Sequence, residues 1–287
     1  MDERRQNARP WLRSLLLLGV GAAALVALAT HYGEGELVDA LKSADRVLLA
    51  AAFGVFCLQI PVLALRWWWV LRLLDMPTRF GDILAAHCGA AVTNFIAPGH
   101  FGEALLSAWL ERTDRAPGVE AFTALLACKV LTVLVSLAML AAGLLGTDAP
   151  ALRPWRLPAL LGLALGVAAL VAGLAFGGEG SGEATGLART LQRARRTLRA
   201  LRRSPAALSA GLGLTIVNAA LLCVVLALVY ASAGAPLGPL DTVLLRSIDS
   251  LGHGVSGWVP GNLGVDEAVF TIASHHGFGV AAPQALT

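Results

Sequence analysis

Two glutamates, Glu103 and Glu267, each follow a Pro-Gly break in an apolar segment. The shared pattern is Pro-Gly-x-x-Gly, formed by Pro98, Gly99 and Gly102 before the first glutamate and by Pro260, Gly261 and Gly264 before the second. Proline lacks a backbone N–H and glycine adopts backbone angles that other residues avoid, so each break ends one helix and starts another. The free N–H groups of a new helix attract anions. Each motif therefore indicates either an anion site in a transport pathway or a helix start that its own carboxylate stabilises.

Composition places these motifs in a membrane. Hydrophobic residues make up 56% of the 287 residues, and charged residues make up 14%, against about 25% in a soluble domain. No stretch is polar enough to form a separate soluble domain. We predict an all-α polytopic membrane protein with a single transmembrane domain over residues 1–287.

Five apolar stretches approach the length of about 20 residues that a helix needs to cross a membrane. They are residues 11–30, 47–73, 118–145, 157–177 and 206–233. The first follows four arginines, as a secretory signal peptide would, but it lacks a clean small-residue cleavage site. We therefore predict five retained spans.

Charge predicts that the two Pro-Gly breaks are the tips of re-entrant hairpins. If residues 82–111 crossed the membrane once, the arginine-rich linker 187–203 would lie outside, against the rule that basic loops stay in the cytoplasm. A hairpin that enters and returns keeps this linker and the N-terminus inside a bacterial-type inner membrane. Residues 241–276 form a matching hairpin that is entered from the opposite side. Such inverted repeats enclose midplane sites in transporters, although so short a repeat can also arise by coincidence.

The basic linker has a helical pattern of its own. Leucine and alanine recur at steps of three and four between seven arginines, at positions 189, 193, 195, 196, 199, 202 and 203. This pattern predicts an amphipathic helix on the inner membrane surface that attracts anionic lipids. The alternative is an ordinary orientation signal, which explains the charge but leaves the periodicity unexplained.

From about residue 41 to the end, the chain resembles the lysylphosphatidylglycerol synthase transmembrane region, also called the flippase-like domain family. The resemblance rests on Arg66-Trp67, on Asn94 shortly before the first break, and on the two Pro-Gly motifs in this order. It implies a domain that moves, or helps to move, anionic or glycan-bearing lipids between leaflets. In one branch of the family this domain is fused to an aminoacyl-lipid synthase, and this chain contains no such soluble domain.

The chain departs from the family pattern at several polar positions. Leu106 stands where an arginine is usual after the first glutamate. Cys128, Lys129 and Thr132 occupy positions where the family has a Glu-Arg pair and a following aspartate, so only Lys129 retains a charge there. Because these charges are missing, the chain need not accept the same lipid headgroup as other members of the family. It also need not transport a lipid at all.

We therefore expect a lipid transporter whose headgroup site includes Arg66, Asn94, Lys129 and the starts of the half-helices. Glu103 and Glu267 would shape the polarity of this site or respond to protons. Arg246 would either contact the headgroup or pair with Asp249, three residues further on.

Two other classes remain open from the sequence. One is an accessory scaffold for a lipid-modifying enzyme, and the other is a membrane-embedded transferase with Glu103 or His100 as its base. The sequence contains no nucleotide-binding, catalytic or metal-ligand motif, so we expect no enzymatic activity and no cofactor. The expected partners are anionic membrane lipids, with a lipid-modifying enzyme as a further candidate and no nucleic acid. The C-terminal GVAAPQALT resembles the lead-in to the span at 118–145, which suggests a missing final span or a naturally short chain.

Overall fold

The computed structural model describes residues 42–76, 78–96, 101–113, 117–147, 150–175 and 187–256. Its helices are α1 (Arg46–Leu73), α2 (Phe80–Ile96), α3 (Phe101–Arg112), α4 (Gly118–Gly146), α5 (Arg156–Ala175), α6 (Leu187–Arg203), α7 (Pro205–Ser232) and α8 (Pro239–Ser256). A short 3-10 helix, Pro150–Trp155, leads into α5. Within these ranges the chain has no strand, and the predicted all-α class is confirmed.

Four described helices are long and apolar enough to cross a membrane. They are α1, α4, α7 and the stretch Leu152–Ala172, which contains most of α5. These helices match four of the five predicted spans, and the other prediction, residues 11–30, lies outside the described residues. The Asp45 carboxylate caps α1 by accepting from two backbone N–H groups, and the Ser204 hydroxyl caps α7. The chain is therefore a multi-pass membrane protein.

Helices α1 and α7 form the most extensive helix pair, and they run antiparallel. The backbone N–H of Asp45, just before α1, donates to the carbonyl of Ser232, the last residue of α7, at 2.9 Å. At the other end, Val70 near the finish of α1 lies beside Gly211 near the start of α7. We call this second end, where α1 finishes and α7 starts, the basic end of the bundle, because Arg72, Arg202 and Arg203 belong to it.

The core at the basic end joins six helices. Its buried residues include Trp67 and Leu71 of α1, Ile83 of α2, Leu106 and Leu110 of α3, Ala121 and Leu125 of α4, Leu201 of α6 and Ala207 of α7. The start of α2 and the finish of α3 thus meet in the same cluster, and the two helices also pack against each other. With 17 and 12 residues, they are about 25 and 18 Å long, shorter than the hydrocarbon layer. This arrangement supports a hairpin, while its re-entrant path through a membrane stays a prediction.

The opposite end of the bundle is closed by α4, α5, α7 and α8. Leu144, Ala159 and Leu244 form one buried cluster there, and Tyr230 packs against Leu245 in another. The Arg156 guanidinium ties the start of α5 to the end of α4 by donating to the carbonyls of residues 144 and 147. Helix α8 is the first arm of the predicted second hairpin, and the remainder of that hairpin lies outside the described residues.

A glycine sets the distance between α4 and α8. A Cβ atom added to Gly143 would lie 2.9 Å from Cβ and 3.1 Å from Cα of Leu244, too close for two helices to keep their positions. We expect Gly143→Ala to lower the free energy of unfolding by about 1–3 kcal/mol, as overpacking does. The control is Gly213→Ala on α7, since no atom lies within 4 Å of its added Cβ. Denaturant unfolding of both variants in detergent measures the difference, and equal stabilities would contradict the close α4–α8 contact.

Candidate functional site

Arg66 is the most deeply placed charge among the described residues of the spans, with an exposed fraction of only 3%. Its Nη1 donates to Thr132 Oγ1 on α4 at 2.9 Å and to Thr215 Oγ1 on α7 at 3.0 Å. Both threonines lie in the central turns of helices of 29 and 28 residues. Arg66 therefore connects α1, α4 and α7 about two turns before the end of α1.

The two threonines act towards Arg66 only as neutral acceptors. The Thr132 hydroxyl donates its proton to the carbonyl of Cys128 at 3.0 Å, and the Thr215 hydroxyl donates to the carbonyl of Gly211 at 2.7 Å. Each hydroxyl thus donates its proton to a carbonyl of its own helix. Its oxygen lone pairs accept the hydrogen bond from the guanidinium.

The charge of Arg66 has no counter-ion in the described part of the chain. Neither of its two hydrogen-bond acceptors is a carboxylate, and its buried Nε has no partner. Burying a charge without an opposite charge is costly, and ionisable groups at membrane depth are usually functional. The arrangement therefore suits an anion that is supplied from outside the chain.

A polar cleft between α4, α7 and α8 lies directly beside Arg66. Its polar lining residues are Thr132 and Ser136 of α4, Thr215 and Asn218 of α7, and Arg246 and Ser250 of α8. The cleft and Arg66 share the two threonines. The cleft is narrow, with space for about one water molecule, so a larger ligand requires the helices to separate.

Asn218 brings an unsatisfied acceptor to this cleft. The residue is 7% exposed, and its Oδ1 has no hydrogen-bond partner. Leaving a buried polar group unpaired destabilises a protein, and native structures contain few such groups. A ligand that presents an N–H or O–H donor would satisfy it.

Helix α8 is held to the cleft by polar contacts. The hydroxyls of Ser136 on α4 and Ser250 on α8 are 2.7 Å apart and form a hydrogen bond. On α8 itself Arg246 pairs with Asp249, while its contact with a headgroup stays a prediction. Arg246 thus lines the cleft with its charge balanced, in contrast to Arg66.

Of the residues predicted from sequence, Arg246 lines the cleft, and Arg66 lies beside it and bonds to two of its threonines. Lys129 is half-buried on α4, three residues before Thr132, and Gly102 is buried on α3. Asn94 and Glu103 belong to α2 and α3, and their side chains lie outside what the structure describes. Pro98, Gly99, Pro260, Gly261, Gly264 and Glu267 also lie outside the described residues.

Four polar lining residues were missed by the sequence analysis: Ser136, Thr215, Asn218 and Ser250. The available signal was helical spacing, because each lining pair within one apolar helix is three or four residues apart and so shares a face. The pairs are Thr132 with Ser136, Thr215 with Asn218, and Arg246 with Ser250.

Two of the residues that depart from the family pattern are buried in the hydrophobic core. Leu106 is 2% exposed and Cys128 is 1% exposed, and both belong to the cluster at the basic end. Thr132, in place of the expected aspartate, accepts from Arg66. At these positions the chain therefore has apolar packing and a neutral acceptor where the family pattern has charges.

Helices that can cross a membrane, arranged around an internal polar cleft, define the class: an α-helical, multi-pass membrane protein with a buried polar site. Within that class, the family model of the Lysylphosphatidylglycerol synthase TM region matches residues 11–287. The chain belongs to this family, and the resemblance noted in its sequence is confirmed. No curated protein and no solved structure matches it.

Proposed function

We propose that this protein binds the headgroup of an anionic or glycan-bearing lipid in the cleft between α4, α7 and α8 and moves the lipid between leaflets. The observation that carries the proposal is the buried charge of Arg66, which lies beside the cleft and whose two described hydrogen-bond acceptors are neutral hydroxyls. Membership of a family of lipid-associated membrane domains supports the same substrate class.

A fixed cation at this depth suits the energetics of lipid crossing. An ionised headgroup loses its hydration when it leaves the interface, and this loss makes passage through hydrocarbon very slow. A guanidinium at mid-depth offsets part of that cost through charge-assisted hydrogen bonds, for which phosphate is a good acceptor. Arg66 has a free Nε donor, and the amide of Asn218 adds an acceptor for headgroup hydroxyl or amino groups.

In this proposal α8 is the wall of the cleft that moves. The cleft has space for about one water molecule, so a headgroup enters only when α8 separates from α4 and α7. The hydrogen bond between Ser136 and Ser250 is the contact that opens. The lipid tails would remain in hydrocarbon while the headgroup passes.

We further propose the finer topology that the charge pattern predicts. The N-terminus and α6 face the cytoplasm of a bacterial-type inner membrane, and α2–α3 and α8 with its following segment are opposed re-entrant hairpins. Glu103 and Glu267 then lie in the half-helix starts and shape polarity or respond to protons. We propose transport without enzymatic activity, and membrane lipids as the partners.

A second candidate function is an accessory scaffold for a lipid-modifying enzyme. The observation that favours it is the apolar packing of Leu106 and Cys128, where the family pattern has charges. Co-purification of an enzyme at fixed stoichiometry, together with no translocation by the purified chain, would support the scaffold.

Translocation in proteoliposomes tests the transport proposal. We expect the protein to accelerate the loss of inner-leaflet headgroup-labelled anionic lipid to an external, impermeant quencher. Asn218→Leu keeps the branched shape at Cγ and removes the amide, so we expect translocation to fall about two- to tenfold, the range for one lost hydrogen bond. Because Leu also removes an unpaired polar group, we expect no loss of thermal stability.

The matched control is Val217→Leu, the preceding residue on α7, which is 46% exposed on the lipid-facing side of the helix. This variant should translocate lipid at the native rate. The transport proposal fails if the native protein, well folded, accelerates none of the anionic or glycan-bearing lipids tested. Equal translocation rates for the Asn218 variant and its control would show that the Asn218 amide does not bind the headgroup.

A further inference from the structure

The described apolar side chains near the end of α6 pack against the bundle. Thr197 and Leu201 are 4% and 2% exposed, and Leu198 packs against the core at the basic end. Helix α6 contacts α4, α5 and α7. At these residues the amphipathic pattern, which predicted a helix on the inner membrane surface, docks the helix on the protein.

The arginine face of α6 remains exposed. Its exposed arginines are Arg195, Arg196, Arg202 and Arg203. Only Ser204 separates α6 from α7, whose first residue is Pro205, so the last two arginines lie within a turn of the start of a membrane-spanning helix. Residues at such a position are at the depth of the lipid headgroups.

Other arginines increase the positive charge of the same end. Arg72 is in the last turn of α1, with its guanidinium 5.1 Å from the ring centroid of Trp68, and Arg112 is the last residue of α3. Both helices finish in the core cluster that α6 covers. The exposed carboxylates of Asp75 and Glu111 lie at the same end, so the positive charge is most concentrated on α6 itself.

We propose that this arginine face is a second lipid site, outside the cleft, that holds anionic headgroups of the adjacent leaflet by charge alone. A leaflet presents anionic groups at this depth continuously, which favours lipid over an acidic soluble protein as the occupant. Since Leu198 and Leu201 are engaged in the core and the exposed side chains beside them are arginines, the attraction is electrostatic and is screened by salt. The site concentrates anionic lipid around the protein whether or not the cleft transports it.

Quenching of intrinsic tryptophan fluorescence by brominated lipids tests this inference on the full-length protein. The protein is reconstituted into phosphatidylcholine vesicles that contain a minor fraction of either brominated phosphatidylglycerol or brominated phosphatidylcholine. Two tryptophans of the described residues are exposed, Trp69 (43%) at the basic end and Trp155 (63%) at the opposite end, so every variant also carries Trp155→Phe and Trp69 reports adjacent lipid. The ratio of the two quenching curves gives the preference for the anionic lipid.

The variant replaces Arg195, Arg196, Arg202 and Arg203 together by glutamine. Each arginine near an anionic surface contributes about fivefold to association, so we expect the preference for phosphatidylglycerol to fall at least about tenfold. Molar salt should produce a comparable fall in the native protein. Lysine at the same four positions should retain the preference, because the interaction depends on charge and not on guanidinium geometry.

The control is Arg153→Gln, an exposed arginine at the opposite end of the bundle, and it should leave the preference unchanged. An undiminished preference in the folded glutamine variant, or a preference that molar salt does not reduce, would overturn the inference. If the lipid preference is unchanged but an acidic protein binds the native chain and not the glutamine variant, the face serves a protein partner and the lipid site is refuted. None of these readings depends on translocation, so the transport proposal stands or fails separately.

Discussion

Arg66→Met is expected to reduce lipid translocation about ten- to hundredfold while leaving the folded protein at least as stable as the native one. Hydrogen bonds to a charged group contribute about 1.5–3 kcal/mol, which sets the expected loss when the guanidinium no longer meets the headgroup. Stability should not fall, because methionine fills a similar volume and a buried charge is often replaced by an apolar residue without loss. Proteoliposome translocation and thermal unfolding of the same preparation measure both effects.

The matched control is Arg72→Met on the same helix. Arg72 is exposed at the end of α1, and its guanidinium lies over Trp68, away from the cleft. We expect native translocation and a stability change within about 1 kcal/mol, the size of one exposed cation–π contact. A strong loss of stability in Arg66→Met would show that the arginine is structural, and native transport by this variant would refute its role in headgroup binding.

The membrane-spanning helices were predictable because length and hydropathy alone decide whether a segment can cross. The start of α1 at Arg46 and the start of α7 at Pro205 lie within one residue of the bounds predicted from hydropathy, and in the structure Asp45 and Ser204 cap these starts. The packing of α2 against α3 fits the Pro-Gly break between them. Periodicity also predicted α6, but it did not say what covers the apolar face of that helix.

The candidate site was only half predictable. Charged residues such as Arg66 and Arg246 stand out in apolar segments, whereas single hydroxyls and amides do not, because they also occur in lipid-facing turns. The contact between Arg66 and Thr215 joins positions 149 residues apart in the sequence. Such a contact depends on how three helices pack, and neither local spacing nor composition contains that information.

The double substitution Thr132→Val and Thr215→Val is expected to destabilise the protein strongly, although each change is conservative in shape. The two hydroxyls are the acceptors for Nη1 of Arg66, so their loss leaves the guanidinium buried among apolar groups. We expect a loss of about 1–3 kcal/mol for each acceptor, measured by denaturant unfolding in detergent. The control is Thr123→Val, a buried threonine on α4 whose hydroxyl donates only to the carbonyl of Val119.

Combining the double substitution with Arg66→Met separates the two explanations for such a loss. If the threonines stabilise the fold by satisfying the guanidinium, removing the charge makes their hydroxyls dispensable, and the triple variant recovers most of the lost stability. If they act through their own packing or through their bonds to helix carbonyls, the triple variant remains as unstable as the double one. The recovery would measure the interaction free energy between Arg66 and the two threonines. A mutant cycle isolates this quantity as the deviation of the triple variant from the sum of the separate effects. Such a recovery would show that the chain maintains these two acceptors to keep a buried cation between three helices.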